Sequence, residues 1–338
     1  MFTPQVVKPP TSSDVAHAAG VSRATVSFVL NDKPGVRISD DTRRRVLEAA
    51  QRLGYTPNQT AQTLARASVA GWLVAGAQQG FGDALDRAVD LAVREAVDDG
   101  ADVVRDGGTD TVGSQAAQAW SRYRPESVLA GADRCDAAAT EVLRSSGVRA
   151  LLVYSDVQVE HAPTLVLPQA PYGRLAAEHL VARGHRHLAF VLPSGRSGAD
   201  ARFAAARAVA RDAGATLTRV DASPTAASLR DWAHGWRYAD DRPTGVLAFD
   251  DAYAAAAVRA LVDAGVRVPD DVSVVGAEDQ PLAGQYVPRL TSVSFASDVL
   301  AGRISAAFRA MLAGERVERV EPPTPVVVER ESVTAVTR

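Results

Sequence analysis

Apolar positions in the first sixty residues recur at helical spacing, in short runs broken by glycine and proline. Val15, Ala16 and Ala19 make the first stripe. Thr11 stands ahead of it and Asp14 lies three residues on, the spacing of a capping box in which hydroxyl and carboxylate satisfy early backbone N–H groups. Gly20 is the turn residue, free to take a positive φ, and Val21 is an apolar plug. Ser22 then caps a second helix running to Asn31, with Val26, Val29 and Leu30 facing inward and Arg23, Ala24, Ser27 and Phe28 left outside. After the loop from Asp32 to Arg37, Ser39 to Thr42 opens a third helix through Arg43, Val46, Leu47 and Ala50 to Leu53. Gly54 stops it and Pro57 blocks continuation. Two short helices joined by a glycine turn form a helix-turn-helix, although any small helical bundle shares that outline.

From Gly71 the pattern changes. Apolar runs alternate with amphipathic stretches: strands at 72–75, 127–130, 150–154, 187–192, 245–249, 272–275 and 326–328, and helices at 84–98, 172–183, 201–213 and 252–264. This alternation predicts parallel sheets with crossover helices. Some 270 residues exceed one typical domain, so two lobes are expected.

Composition changes this picture little. With 46% hydrophobic and 23% charged residues among 338, wholesale disorder is excluded. No uncharged apolar run approaches the ~20 residues of a membrane span, and the first ten residues carry no secretory pattern. A lone cysteine, Cys135, fits a reducing, cytoplasmic setting and cannot form an intrachain disulfide. Charge is more informative. The net value is −3, yet residues 1–67 hold nine basic against five acidic side chains, so a basic head precedes an acidic body. Lys8 and Lys33 are the only lysines, so part of this reflects an arginine bias.

Catalytic signatures are weak. Neither a phosphate-binding loop ending in Gly-Lys-Ser/Thr nor a His-Glu-x-x-His motif is present. His185 and His187 lack an obvious third metal ligand and read as part of a structural turn. Asp250-Asp251 looks like a catalytic carboxylate pair without a nucleophile or base, and Gly195 to Gly198 reads as a plain loop. No cofactor is expected. A sugar- or nucleoside-processing α/β enzyme and a cytosolic small-molecule-binding protein stand as the alternatives to a DNA-binding regulator.

Asp14-Val-Ala-His-Ala-Ala-Gly-Val-Ser-Arg-Ala-Thr-Val-Ser-Phe-Val-Leu-Asn31, Thr42-Arg43 and Leu53-Gly-Tyr-Thr-Pro-Asn58 closely resemble the head of the LacI/GalR family of bacterial regulators. The resemblance implies an all-α helix-turn-helix DNA-binding domain (1–57), a hinge helix (58–68) and a two-lobed α/β body like periplasmic binding proteins (69–338). Its N-lobe is expected at about 69–164 plus 296–325, and its C-lobe at about 165–295 plus 326–338. By position, Arg23 and Ala24 would read base edges, Arg23 by donating to guanine O6 and N7, Ala24 by meeting a thymine methyl. Thr11, Ser22, Thr25, Ser27, Asn31, Arg37, Tyr55 and Asn58 would make the remaining, mostly phosphate, contacts. Phe28 departs from the family's usual arginine, which implies a different preference at that base pair. The segment 58–65 is too short for a stable isolated helix and fits one that orders on DNA. Leu64 occupies the family's minor-groove wedge position, supported by Ala61.

In the body, Glu178-His-Leu180, Phe249-Asp-Asp251, Val268 to Gly276 and Pro288 to Val293 carry the resemblance, which is poor from about 78 to 169. It places Gln78, Phe81, Arg202, Asp250 or Asp251, Glu278 and Phe295 at the effector cleft. Departures cluster there: Ala277-Glu278-Asp279 replaces an aromatic-Asp-Asp, Phe295 a glutamine, and Pro168-Gln169 an Asp-Asn. Lost polar partners imply a less polyhydroxylated or otherwise unusual effector. The implied partners are operator DNA, a second copy of the chain and a small-molecule effector, with no membrane. Without a C-terminal heptad tail, a dimer is expected rather than a tail-built tetramer.

Overall fold

The computed structural model describes residues 10–30, 38–53, 55, 71–77, 81–108, 110–196, 198–236, 238–239 and 241–336. The chain forms two compact units, 1–69 and 70–338.

In the first unit, α1 (Ser12–Ala19), α2 (Arg23–Leu30) and α3 (Asp40–Leu53) surround a small core of Val15, Ala16, Ala19, Val26, Val29, Val46, Ala49 and Ala50. Local chemistry sets each boundary. The Thr11 N–H donates to Asp14 Oδ2 at 2.7 Å while Asp14 N–H donates to Thr11 Oγ1 at 3.4 Å, completing the capping box. Gly20 takes φ 63°, and Val21 N–H reaches back to Ala16 O at 3.0 Å, closing the α1 C-terminus in a Schellman-type turn. Ser22 Oγ accepts the Thr25 N–H at 3.0 Å and Ser39 Oγ accepts that of Thr42 at 3.3 Å. Leu47 turns to solvent, and Ala49 takes the inward place on α3.

The second unit holds two six-stranded sheets. The first contains β1 (Gly71–Ala75), β2 (Asp102–Asp106), β3 (Ser127–Gly131), β4 (Ala150–Ser155), β5 (Thr164–Val166) and β11 (Arg319–Val320), ordered β11-β5-β4-β3-β1-β2 and parallel throughout. The second contains β6 (His187–Leu192), β7 (Thr216–Asp221), β8 (Gly245–Ala248), β9 (Ser273–Ala277), β10 (Thr291–Ser294) and β12 (Val326–Val328), ordered β12-β10-β9-β8-β6-β7. Only its β10–β12 pairing is antiparallel. Central strands such as β3, β4 and β9 are buried along their whole length because helices cover both faces.

Helices α4 (Asp83–Asp98), α5 (Gly113–Ser121) and α6 (Ala137–Ser145) belong to the first lobe. α7 (Ala170–Ala182), α8 (Ala199–Asp212), α9 (Arg230–Trp236) and α10 (Asp251–Asp263) belong to the second. α11 (Ser297–Leu312) returns to pack on α4. The chain therefore passes between the sheets three times: after β5, after β10 and after β11.

His185 is structural. Its Nδ1 pairs with Thr244 Oγ1 and its Nε2 with Thr334 O, both at 3.0 Å, and burial lowers its pKa. Among the described residues no group of three or more His, Cys, Asp or Glu is arranged to hold a metal ion, and no helix is long and apolar enough to cross a membrane.

Candidate functional site

On α2, about 100° of rotation per residue puts Arg23, Ala24 and Ser27 on one side and Val26 and Val29 on the other. The structure exposes the former and buries the latter. Phe28 is half-buried at the margin of this face. Ser22 and Thr25 share a 2.9 Å hydroxyl contact, and the Thr11 hydroxyl donates to Asp14 Oδ2 at 2.7 Å, so all three also serve helix ends. Tyr55 leans on the head core, its N–H bonded to Ala50 O at 2.9 Å. Arg44 and Arg45 lie 2.6 and 3.4 Å from Asp41, whose carboxyl the Arg44 hydrogen bond holds below the usual carboxylate range. Asn31, Arg37, Asn58, Ala61, Leu64 and Gln78, named from the sequence, lie outside the described residues.

The body's candidate site lies where β8, β9 and β10 end, the position at which open parallel sheets present ligand-binding groups. Arg202, in the first turn of α8, is 2% exposed. Its guanidinium is sandwiched between the Tyr172 and Phe249 rings, 4.4 and 4.2 Å from their centroids. It donates to Gln169 Oε1 from Nε at 3.0 Å and from Nη2 at 2.7 Å, to Glu278 Oε1 at 3.1 Å, and to Phe249 O. Gly173 makes room for this: a Cβ there would stand 1.9 Å from Arg202 O, so α8 approaches α7 only over a glycine.

Glu278 follows β9, is 2% exposed, and has a φ of 84°. While Oε1 takes Arg202, Oε2 accepts the Asp83 N–H at 2.9 Å. Asp83 is the first residue of α4, and Gly82 before it supplies no side-chain cap. The second lobe thus caps a helix of the first. A Cβ at Gly82 would stand 2.2 Å from Glu278 Oε2, so glycine is required for the approach. Arg87 donates through Nη2 to Glu278 O at 2.7 Å, and its Nη1 is buried without a hydrogen-bond partner. Burial raises the Glu278 pKa, opposed by the neighbouring Arg202 charge.

The two aspartates differ. Asp250 is the N-cap of α10, accepting from Tyr253 N–H at 3.0 Å, and Arg196 lies 3.7 Å from it. Asp251, the other aspartate placed at the cleft by the resemblance, is the first helical residue. Its oxygens accept Ser292 Oγ at 2.8 Å and Gln280 N–H at 2.7 Å, which ties it into its own lobe, and burial pushes its pKa up to about 7. The loop read as plain also has a role, since Arg196 stacks on Phe249 at 4.7 Å.

Phe81 meets Tyr154 edge-on at 5.4 Å and, with Leu85, Tyr172 and Phe295, lines an apolar pocket of about 20 Å³. That is room for about one water molecule. Gln169, Tyr172, Arg87 and Arg196 were not among the residues picked from the sequence. Only Gln169 left a signal there, as a departure at the start of α7.

A helix-turn-helix unit joined to a two-sheet body crossed three times defines a DNA-binding regulator with a binding-protein-like body. Residues 11–58 match the lacI family of bacterial regulatory proteins, and residues 177–333 match a periplasmic binding protein-like domain. The Lactose operon repressor of Escherichia coli (strain K12) is 31% identical over 304 residues, covering 85% of this chain and 80% of that protein. A crystal structure of the lac repressor dimer bound to operator and the anti-inducer ONPF matches 97% of this chain and 100% of that one, with a TM-score of 0.73 and 26% identity. A complex of the regulator CelR with cellobiose matches 96% and 99%, with a TM-score of 0.60 and 26% identity. The chain belongs to the LacI family of transcriptional regulators. Its curated relatives are regulators of transcription, not enzymes.

Proposed function

We propose that the chain acts in the cytoplasm as a homodimeric repressor whose two heads read a pseudo-palindromic operator. The observation that carries this reading is the face of α2, where Arg23, Ala24 and Ser27 stand exposed opposite a buried Val26 and Val29. A helix with that division fits a major groove, where Arg23 donates to guanine and Ala24 meets a thymine methyl. Ser22, Thr25 and Tyr55 make phosphate contacts that position the helix. The paired linkers, with Leu64 as wedge, bend the operator centre.

The body sets occupancy through a small molecule taken between the lobes. Glu278 is the contact that senses closure, because its carboxylate reaches both Arg202 on its own lobe and Asp83 N–H on the other. An effector that enters must separate these groups and supply replacements, so its differential affinity for the open and closed bodies bounds the shift in DNA binding. Phe81, Tyr172 and Phe295 around the opening favour a ligand with an apolar face over a fully hydroxylated sugar.

Footprinting on DNA beside the protein's own gene tests the reading. A protected palindrome with half-sites about one helical turn apart, and a hypersensitive centre, is the expected result. Binding no tighter than to scrambled duplex overturns it. For the effector, a thermal-shift panel of mono- and disaccharides is expected to give small shifts, and a large shift with a common sugar refutes the apolar preference.

A further inference from the structure

A second cavity lies at the other end of the first lobe, where the strands begin. Trp72 near the start of β1 and Ser127 at the start of β3 are register neighbours there, beside the C-terminal halves of α4 and α11. The cavity measures about 200 Å³. A cavity of roughly 150 Å³ holds benzene, so a single aromatic ring fits. Its floor is apolar: the Trp72 and Phe308 rings lie 4.4 Å apart, next to Leu312 and Ala96.

Two polar features break this apolar lining. Ser127 is 1% exposed, and its Oγ is buried with no hydrogen-bond partner. A buried hydroxyl left unpaired is costly, so its presence on a core strand calls for a partner. The rim is acidic, with Glu95, Asp99 and Glu126 against Arg309. Glu95 is already engaged by Arg309 at 2.8 Å and Ser305 Oγ at 2.7 Å, which hold its pKa below the usual carboxylate range. Glu126 pairs with Arg149, and Asp99 stands exposed at the mouth.

We propose that this cavity is a second ligand site, separate from the cleft between the lobes, for a single-ring aromatic amine with a hydroxyl on the ring. The ring lies against Trp72 and Phe308, its hydroxyl meets Ser127 Oγ, and its ammonium faces Asp99.

Calorimetry on the full chain with tyramine as probe tests this. Phenethylamine, which lacks the hydroxyl, and 4-hydroxyphenylacetate, which reverses the charge, are the comparisons. Tyramine is expected to bind saturably, about 3- to 10-fold tighter than phenethylamine, the worth of one neutral hydrogen bond, and the acid more weakly than either. In Ser127→Ala the preference for tyramine over phenethylamine disappears, while the protein remains folded because only an unpaired hydroxyl is lost. Asp99→Asn weakens both amines alike. Absence of saturable tyramine binding, which is the result if a water alone serves Ser127, overturns the proposal. So does a hydroxyl preference that survives Ser127→Ala.

Discussion

The recognition face of α2 and the cleft of the body solve opposite problems. On α2 Arg23, Ala24 and Ser27 are exposed, and the helix is held from behind by Val26 and Val29 and at its start by Ser22. In the body, Arg202 and Glu278 are almost fully buried and satisfy one another. The first arrangement leaves side chains available to an outside partner at little cost to stability. The second makes the same groups part of the structure, so a ligand competes with contacts the protein already has. Substitution should therefore separate binding from stability in the head and confound them in the body.

The largest effect is expected at the buried pair. Arg202→Met strands a carboxylate that is 2% exposed, and losing one partner of such a pair costs about 3–5 kcal/mol. Arg202→Met with Glu278→Gln removes the charge as well and should recover much of that loss, because Gln still offers an oxygen to Asp83 N–H. All four tryptophans lie in the body, so urea unfolding followed by tryptophan fluorescence reads it directly. A cost under about 1 kcal/mol for the single variant would show that the pair is solvated and that the contrast with the head fails.

In the head, Arg23→Ala should cost about 1–3 kcal/mol of operator affinity and relax discrimination at one base pair in each half-site. The tryptophan-detected urea midpoint should not move. Affinity lost equally on every sequence would instead make Arg23 a phosphate contact. Raising the salt concentration should weaken binding steeply in both proteins, by counterion release.

The same contrast explains what could be read from the sequence. The capping box of Thr11 and Asp14 and the glycine turn at Gly20 join residues no more than five apart, so the pattern of types specifies the contacts. Strands β1, β3, β4, β6, β8 and β9 were legible as apolar runs, and the parallel two-sheet class followed from their alternation with helices. The edge strands β2 and β7 were not, because Asp102–Asp106 and Thr216–Asp221 mix exposed and half-buried positions and read as loop. The short strands β5, β10 and β11 and helices α5, α6, α9 and α11 also went unread. Cleft geometry was the least visible. Glu278 meets Arg202 from 76 positions away and Asp83 from 195, so nothing local announces that its carboxylate caps a helix of the other lobe. Leu47 shows the limit even in the head, since an apolar residue at helical spacing turned outward when the smaller Ala49 filled the core.

A smaller effect is expected from the cap. Thr11→Ala removes both the hydroxyl acceptor for Asp14 N–H and the 2.7 Å partner of its carboxylate. Loss of an N-cap costs about 1 kcal/mol. Amide exchange in α1 should accelerate several-fold, while amides in β3 and β4 keep their protection. Unchanged exchange in α1 would mean that the Schellman-type turn at Gly20 alone fixes the helix.

Cys135 supplies the finest test, because it is the only thiol and belongs to the body. It is 0% exposed, and burial pushes its pKa up to about 11. At pH 8 the thiolate is then roughly one part in a thousand, and it lies out of reach of reagent until the body opens. Labelling by iodoacetamide should be slow in the native protein and fast in urea. Since native labelling follows the population of the open state, Arg202→Met should accelerate it by about 10²- to 4 × 10³-fold, the equivalent of 3–5 kcal/mol at tenfold per 1.4 kcal/mol. Thr11→Ala should leave the rate as it was, because the head opens without uncovering residue 135. If the cap variant speeds labelling of Cys135, the two units unfold together, and the separation of binding from stability on α2 does not hold.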